Sequence, residues 1–285
     1  DKIVLKNSEY VALITGDVYV QKTYYMGTVD ANNHVNFYDG MIRVVGPDGK
    51  EHAKYHPKDY RDYVAERVEP WSYLKFPYLK KVGWKGFVDG PDSGVYLATP
   101  LSRLNASDGM ATPLAQKEWQ RFYEVLGGRP VHHTLATHWA RLIELLYATE
   151  RWVELASDPS ITGKDFRVLP KEKPTEGVGC VEAPRGTLTH HYVTDERGLV
   201  VKANLIVGTT NNNASICMAV RRAAQKLIKG GQIREGLLNR VEMAFRSYDP
   251  CFGCATHSLP GQMPLEVVIR NSSGEVVERL SQYLD

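Results

Sequence analysis

No run of apolar residues in this chain approaches the roughly 20 needed to cross a bilayer. Asp1 and Lys2 open a mixed segment without the charged, apolar and small-residue regions of a secretory signal. Neither feature points to a membrane, and the expected compartment is the cytoplasm. Cysteine is scarce, with four residues in 285, at Cys180, Cys217, Cys251 and Cys254. That is too few for a disulfide framework, and in a reducing compartment a close pair favours metal binding or catalysis. An excess of one charge is missing as well: 35 Lys and Arg stand against 33 Asp and Glu, spread along the chain, for a net charge of +2. There is no basic stripe of the kind nucleic acid requires, so that class of partner is set aside. Internal repeats and low-complexity tracts are also absent. What remains is a chain of 43% hydrophobic residues, enough to bury a core as one large domain or two modest ones.

Along the chain, residues 1 to about 70 read as short strands and turns. YVALITGDVYV and YYMGTV are rich in β-branched and aromatic residues, and NFYDGMIRVVGPDGKE reads as strand, turn, strand with Asp48 and Gly49 at the turn. KDYRDYVAERV (58 to 68) has the spacing of a short helix. The stretch from 70 to 112 is rich in Gly, Pro and aromatics and has no helical period, which predicts packed irregular structure with at most short strands. Thr112 and Pro113 begin a helix over PLAQKEWQRFYEVLG, and a longer apolar period predicts a second from about 132 to 156. EKPTEGVGCVEAP interrupts the helices, TLTHHYVTDERGLVVKANLIV alternates like a hairpin turning at Asp195 to Gly198, and helices follow at about 213 to 229 and 233 to 246.

The densest chemistry lies in DPCFGCATH, residues 249 to 257. Cysteines at i and i+3 after a proline can aim both sulfurs at one point, which suits a soft or borderline metal. Three readings stand side by side. A structural zinc needs four ligands, so it must recruit two from Cys180, Cys217, His190, His191 or His257. A thioredoxin-like dithiol fits less well, because this pair follows a helix and precedes a strand, QMPLEVVIR, instead of sitting at a strand-to-helix junction. The third reading is a catalytic metal. Taken alone, Cys180 and Cys217 read as small core residues, and His190 and His191 as one buried and one exposed strand position.

Several segments in order carry a resemblance. DPCFGCATH resembles the DPCxxCxxH signature of the large subunit of nickel–iron hydrogenases, and EAPRGTLTHHYV (182 to 193) resembles that family's EAPRG segment. TTNNNASICMAV (209 to 220), YLKFPYLK, PLSRLNASDG and TPLA are similar to further stretches of it. The likeness is to the soluble cytoplasmic, NAD-linked or related bidirectional group. It implies an α+β fold, mainly helical, with β-hairpins at the periphery. It implies Cys251 as a terminal nickel ligand, Cys254 as a thiolate bridging nickel and iron, and Arg185 as the arginine over the open face of the metals. Pro184 and Thr209, with the neighbouring hydroxyl of Thr210, would surround the iron's cyanide ligands. Asp249 matches the carboxylate behind the ligands, and His257 the end of the mature subunit, near an additional magnesium-type metal. A guanidinium and hydroxyls are suited to that task as fixed donors to cyanide.

The implied cofactor is a nickel–iron centre with carbon monoxide and cyanide on the iron, and the implied reaction is reversible heterolytic cleavage of H2. Electrons would leave through a small iron–sulfur subunit, because the cysteines here cannot hold a cluster relay. Diaphorase-type subunits, a maturation chaperone and a C-terminal endopeptidase are the further partners. The family's second cysteine pair, RxCGxC, does not occur in this sequence, and SLPGQMPLEVVIRNSSGEVVERLSQYLD follows His257. The expectation is therefore an immature or truncated chain whose site can be empty, inactive by itself. Residues 1–70 form its β-rich part, 71–257 a helical core bearing the metal-site segments, and 258–285 an extension removed on maturation, folded as a hairpin around Asn271 to Gly274. The alternative is a non-catalytic module with a structural zinc on Cys251 and Cys254.

Overall fold

The computed structural model describes residues 6–169, 171–229, 235–251 and 266–281. The chain divides into two units, Asp1–Pro250 and Cys251–Asp285. Cys254 and His257 lie outside the described residues.

The first unit opens on helix α1 (Ser8–Thr15), where strand was expected for YVALITGDVYV. Its N-terminus carries the reason: Asn7 accepts a hydrogen bond from the Tyr10 N–H, and Glu9 lies in the first turn, where it complements the helix dipole. Strands β1 (Tyr24–Val29), β2 (His34–Val35), β3 (Met41–Val45) and β4 (Glu51–Tyr55) follow, with Gly49 at positive φ in the expected turn. Helix α2 (Tyr60–Tyr63) covers only the start of the helix expected over 58 to 68, because Val64–Val68 (β5) pairs with Lys75–Leu79 (β6). The β-branched residues Val64 and Val68 suit a strand better than a helix.

After β7 (Tyr96–Leu97) comes a helix in the stretch expected to be irregular: α3 (Pro100–Ala106), every residue of which is buried. A helix buried on all sides shows no amphipathic period, so only its ends mark it. Those marks are present as a capping box between Thr99 and Ser102 and a proline in the first turn. Strand β8 (Gly109–Met110) closes a six-stranded sheet in the order β4-β3-β1-β2-β8, with β7 parallel to β1.

Two long helices come next, α4 (Pro113–Leu126) and α5 (Thr137–Ser157). The cap of α4 comes from α5: Glu150 accepts from the Leu114 and Ala115 N–H groups and from the Thr112 hydroxyl. Then β9 (Glu176–Ala183), β10 (Gly186–Thr194) and β11 (Val200–Ile206) form a second antiparallel sheet, β9 having been expected as a break and the β10–β11 hairpin turning at Gly198 as expected. Helices α6 (Gly208–Asn211), α7 (Asn213–Leu227) and α8 (Glu235–Arg246) complete the unit.

One buried cluster joins the two sheets through Tyr24, Met26, Ile42, Tyr55, Tyr96 and Ile206. A second gathers Phe76, Val95, Ala214 and Met218, with Trp84 and Phe87 against it. The aromatic pairs in that cluster meet edge-to-face or tilted, with ring centroids 5.1 to 6.2 Å apart, each contributing about 0.5–1.5 kcal/mol beyond the area it buries. Among the described residues no helix is long and apolar enough to cross a membrane. In the second unit, β12 (Glu266–Arg270) and β13 (Val276–Ser281) pair around Asn271 to Gly274, the expected hairpin. The mixed α+β class is the one expected.

Candidate active site

Pro184 and Arg185 form the two-residue connection between β9 and β10, where Gly186 pairs with Ala183. The backbone here passes extremely close to its neighbours. A Cβ on Gly186 would lie 2.2 Å from the Ala98 carbonyl and 2.8 Å from that of Gly208, so only glycine fits. Gly208 in turn packs against Arg185: a Cβ on Gly208 would lie 3.3 Å from that of Arg185. This contact brings the residue before Thr209 against the Pro184–Arg185 turn. Thr209 is buried, and Thr210 partly so.

The three asparagines after them hold this arrangement together. Asn211 accepts from the Tyr96 hydroxyl at 2.6 Å and donates to the Thr187 carbonyl. Asn212 Nδ2 donates to the carbonyls of Arg185 (3.0 Å) and Gly208 (3.1 Å), while its Oδ1 accepts from the Ala98 N–H (2.8 Å). Asn213 donates to the Lys75 carbonyl. The sequence marks TTNNN as a unit but does not say that its asparagines bind backbone from three different elements. Those partners lie more than a hundred residues away for Asn212 and Ala98.

The other wall is the segment Ser247 to Asp249, which follows α8. Asp249 holds a left-handed φ of 50°, a conformation that aspartate tolerates better than most residues. Its carbonyl accepts from Arg185 Nε at 2.7 Å, and its carboxylate lies 3.5 Å from the same nitrogen. The remaining four N–H donors of Arg185 have no acceptor among the described residues, and the side chain is 38% exposed. A second arginine supports the turn: Arg141 Nη2 donates to the Ser247 carbonyl, and Nη1 to His138 Nδ1. Since arginine only donates, His138 Nδ1 is the acceptor and the ring carries its proton on Nε2. Burial holds the His138 pKa below its ordinary value, aided by Arg141 and opposed by Asp249.

Of the residues expected at the site, the structure thus brings together Pro184, Arg185, Asp249 and the turn leading to Thr209. Cys251 follows Asp249 by two residues and opens the second unit, while Cys254 and His257 lie outside the described residues. Cys180 and Cys217 are poor candidates for further ligands. Burial pushes the Cys180 thiol up to about 12, and Thr189 donates to its sulfur. Burial raises the Cys217 thiol too. His191 is buried between Tyr60 and Glu176, and His190 pairs with Tyr192. Among the described residues no group of three or more His, Cys, Asp and Glu could hold a metal ion.

The donor set nonetheless fits a thiolate-bound metal with small anionic ligands. Arg185 has four N–H groups without an acceptor among the described residues, and it is held by the segment that leads to the first cysteine of the pair. Such a cluster of fixed donors suits metal-bound ligands that accept hydrogen bonds.

Comparison with known proteins agrees with this geometry. The family model of nickel-dependent hydrogenases matches residues 27–257, and the chain belongs to that family. It is 49% identical over 284 residues to an F420-non-reducing hydrogenase iron-sulfur subunit of Archaeoglobus profundus, covering 99% of this chain and 58% of that protein. Over 257 residues it is 43% identical to the NAD-reducing hydrogenase HoxS subunit beta of Cupriavidus necator, covering 89% of this chain and 51% of that one. Among solved structures, an NAD+-reducing [NiFe]-hydrogenase in the H2-reduced state superposes with a TM-score of 0.78 at 40% identity, over 88% of this chain and 53% of that chain. A [NiFeSe]-hydrogenase of Dm. baculatum shares the fold, with a TM-score of 0.52 at 21% identity, covering 88% of this chain and 57% of that chain. The chain spans a little over half the length of the curated relatives it matches.

Proposed function

We propose that this chain forms part of the catalytic subunit of a nickel–iron hydrogenase that interconverts H2 with protons and electrons. The observation that carries the reading is the Arg185 guanidinium, held by the Asp249 carbonyl with four donors that have no acceptor among the described residues, beside the chain segment leading to Cys251. When bound, a nickel–iron pair supplies the heterolysis of H2. Cys251 would hold it as a terminal ligand and Cys254 as a bridging one, with His257 near an additional magnesium. Pro184 supplies an apolar wall, and Arg185, Thr209 and Thr210 supply donors to the carbon monoxide and cyanide on the iron.

The protein's own contribution is orientation and charge. The guanidinium of Arg185 places a positive charge and a rigid fork of donors over the site. The Asp249 carboxylate balances that charge at 3.5 Å and keeps the side chain turned towards the segment. Proton transfer would fall to a terminal thiolate. Electrons pass to an iron–sulfur partner subunit, and the likeness to the NAD-reducing Cupriavidus enzyme supports a nicotinamide carrier; diaphorase-type subunits and a cytoplasmic location belong to the same reading. The RxCGxC pair does not occur in this sequence, so the thiolates this reading takes from the chain are those of Cys251 and Cys254.

The test is an infrared spectrum of the purified protein where metal-bound carbon monoxide and cyanide absorb, with metal analysis on the same sample. Bands accompanied by nickel and iron are expected for the assembled enzyme. Zinc in a one-to-one ratio without bands would overturn the reading.

A further inference from the structure

Arg103 heads the large side chains that are fully buried among the described residues, with 1% of its side chain exposed, and it lies in α3, outside the two turns that carry Arg185 and Asp249. A guanidinium has five N–H donors in a fixed plane, and here each one is used. Nε and Nη2 donate to the two oxygens of Glu144 at 2.5 and 2.6 Å, in the bidentate arrangement. Nη1 donates to Glu182 Oε2 at 2.9 Å and to the Ala183 carbonyl at 3.0 Å, and Nη2 reaches the Pro184 carbonyl at 3.3 Å. The other oxygen of Glu182 accepts from the Thr28 N–H, the Thr28 hydroxyl and the Thr187 hydroxyl. Gly27 makes room for this group, since a Cβ there would lie 2.8 Å from Arg103 Cα.

With Asn212 on the Arg185 carbonyl, three successive carbonyls of the Ala183–Arg185 segment are each held by a side chain from elsewhere in the fold. Packing does not do this on the Arg103 side. A cavity of about 240 Å³ lies there, lined among others by Phe37, Glu144, Leu145 and Pro184. On that side of the turn, hydrogen bonds more than contact set its position, while Ala98 and Gly208 pack against the other side. An exposed turn carrying one functional side chain has no need of a buried cation and two buried carboxylates, which are costly to remove from water.

Resting on the proposed function, we infer that Arg103 is a positioning residue for hydrogen turnover. It fixes the backbone of Ala183 and Pro184, and through it the aim of the Arg185 guanidinium. Lysine cannot substitute, because a single ammonium offers three donors and no planar fork.

The experiment uses the assembled hydrogenase complex containing this chain, prepared as wild type, Arg103→Lys and Glu144→Gln. Glu144 hydrogen-bonds the turn only by way of Arg103, so its variant perturbs the anchor without touching the segment. Turnover per bound nickel, KM for H2 and the infrared positions of the iron's ligands are measured together. For Arg103→Lys, kcat per nickel is expected to fall on the order of 100-fold with shifted bands, as a displaced catalytic group requires. Glu144→Gln should move both readouts in the same direction by less. Wild-type turnover per nickel with unshifted bands in either folded variant overturns the inference, even if metal loading falls. Loss of folded protein in both variants assigns Arg103 to the fold alone and overturns it as well. A wild-type complex without nickel, iron or turnover sinks the functional reading first, and this inference with it.

Discussion

Asn212 ties Ala98 to Arg185: one amide side chain accepts from the N–H of the first residue and donates to the carbonyl of the second, at 2.8 and 3.0 Å. The side chain is 1% exposed, so each group it serves would be stranded away from water if it were removed. Asn212→Ala is expected to lower stability by about 2–4 kcal/mol, since unsatisfied buried groups cost about 1–3 kcal/mol each and they partly share the loss. Asn212→Asp should cost more, because a carboxylate would face the Arg185 and Gly208 carbonyls it cannot donate to. Urea unfolding of both variants tests the order, and an aspartate variant more stable than the alanine one would contradict this account.

Gly186 stands where β10 passes the Ala98 carbonyl. A methyl group there meets an oxygen at 2.2 Å that belongs to backbone and cannot swing aside. Gly186→Ala should destabilise the protein by about 3 kcal/mol, the upper end of overpacking costs. The same substitution at Gly177, whose Cβ would meet nothing within 4 Å, should be nearly neutral or mildly stabilising. Thermal unfolding of the pair, compared side by side, checks the prediction, and equal effects at the two positions would refute it.

What could be read from the sequence follows from the range over which each signal acts. EAPRG, TTNNN and DPC stand out because, in that order, they resemble segments of a known family, although the partners of the asparagines are distant, and the β10–β11 hairpin stands out because its turn residues are adjacent in the chain. The role of Arg103 could not be read in this way: its partners Glu144 and Glu182 lie 41 and 79 residues away, so nothing near PLSRLNA distinguishes it from a surface arginine. Helix α3 was hidden for a related reason, as burial on every side removes the period by which helices are recognised. Helix α1 was hidden by composition, since its Tyr, Val, Ile and Thr residues favour strand until Asn7 caps it.

His132 makes the fold sensitive to acid. Burial, with help from Lys22 and His133, pulls its pKa down to about 4, and its Nδ1 lies 2.6 Å from the Tyr25 hydroxyl. Burial also pushes the Tyr25 pKa up, so that hydroxyl stays protonated, and it reaches the Gln21 carbonyl at 3.4 Å as well as the imidazole. Unfolding restores the ordinary value of 6.5, so between pH 6.5 and 4 the unfolded chain binds more protons than the folded one. Stability from this residue is complete above that window and lost as the pH falls through it, by at most about 3 kcal/mol. His132→Gln keeps an acceptor but cannot titrate, so its urea midpoint should fall less than that of the wild type between pH 7 and 4.5. Parallel curves for the two proteins would show that His132 is not the group responsible.

Cys180 offers a sharper division between a thiol that chelates and one that packs. It lies on β9 only a few residues from Arg185, which makes it the nearest alternative ligand along the chain. Its sulfur accepts from the Thr189 hydroxyl, and burial followed by the Glu182 charge raises its pKa to about 12 against an ordinary 9. That rise corresponds to about a thousand-fold less thiolate at neutral pH, and the thiolate is the form that binds metal and reacts with electrophiles. Cys180 should therefore resist alkylation in the folded protein and react once it is unfolded, as peptide mass spectrometry can follow. Cys180→Ala should also leave nickel, iron and zinc content unchanged, whereas Cys251→Ala should abolish whichever metal the protein carries. Loss of metal on removing Cys180 would move the centre onto β9 and revive the closed zinc site as the better account.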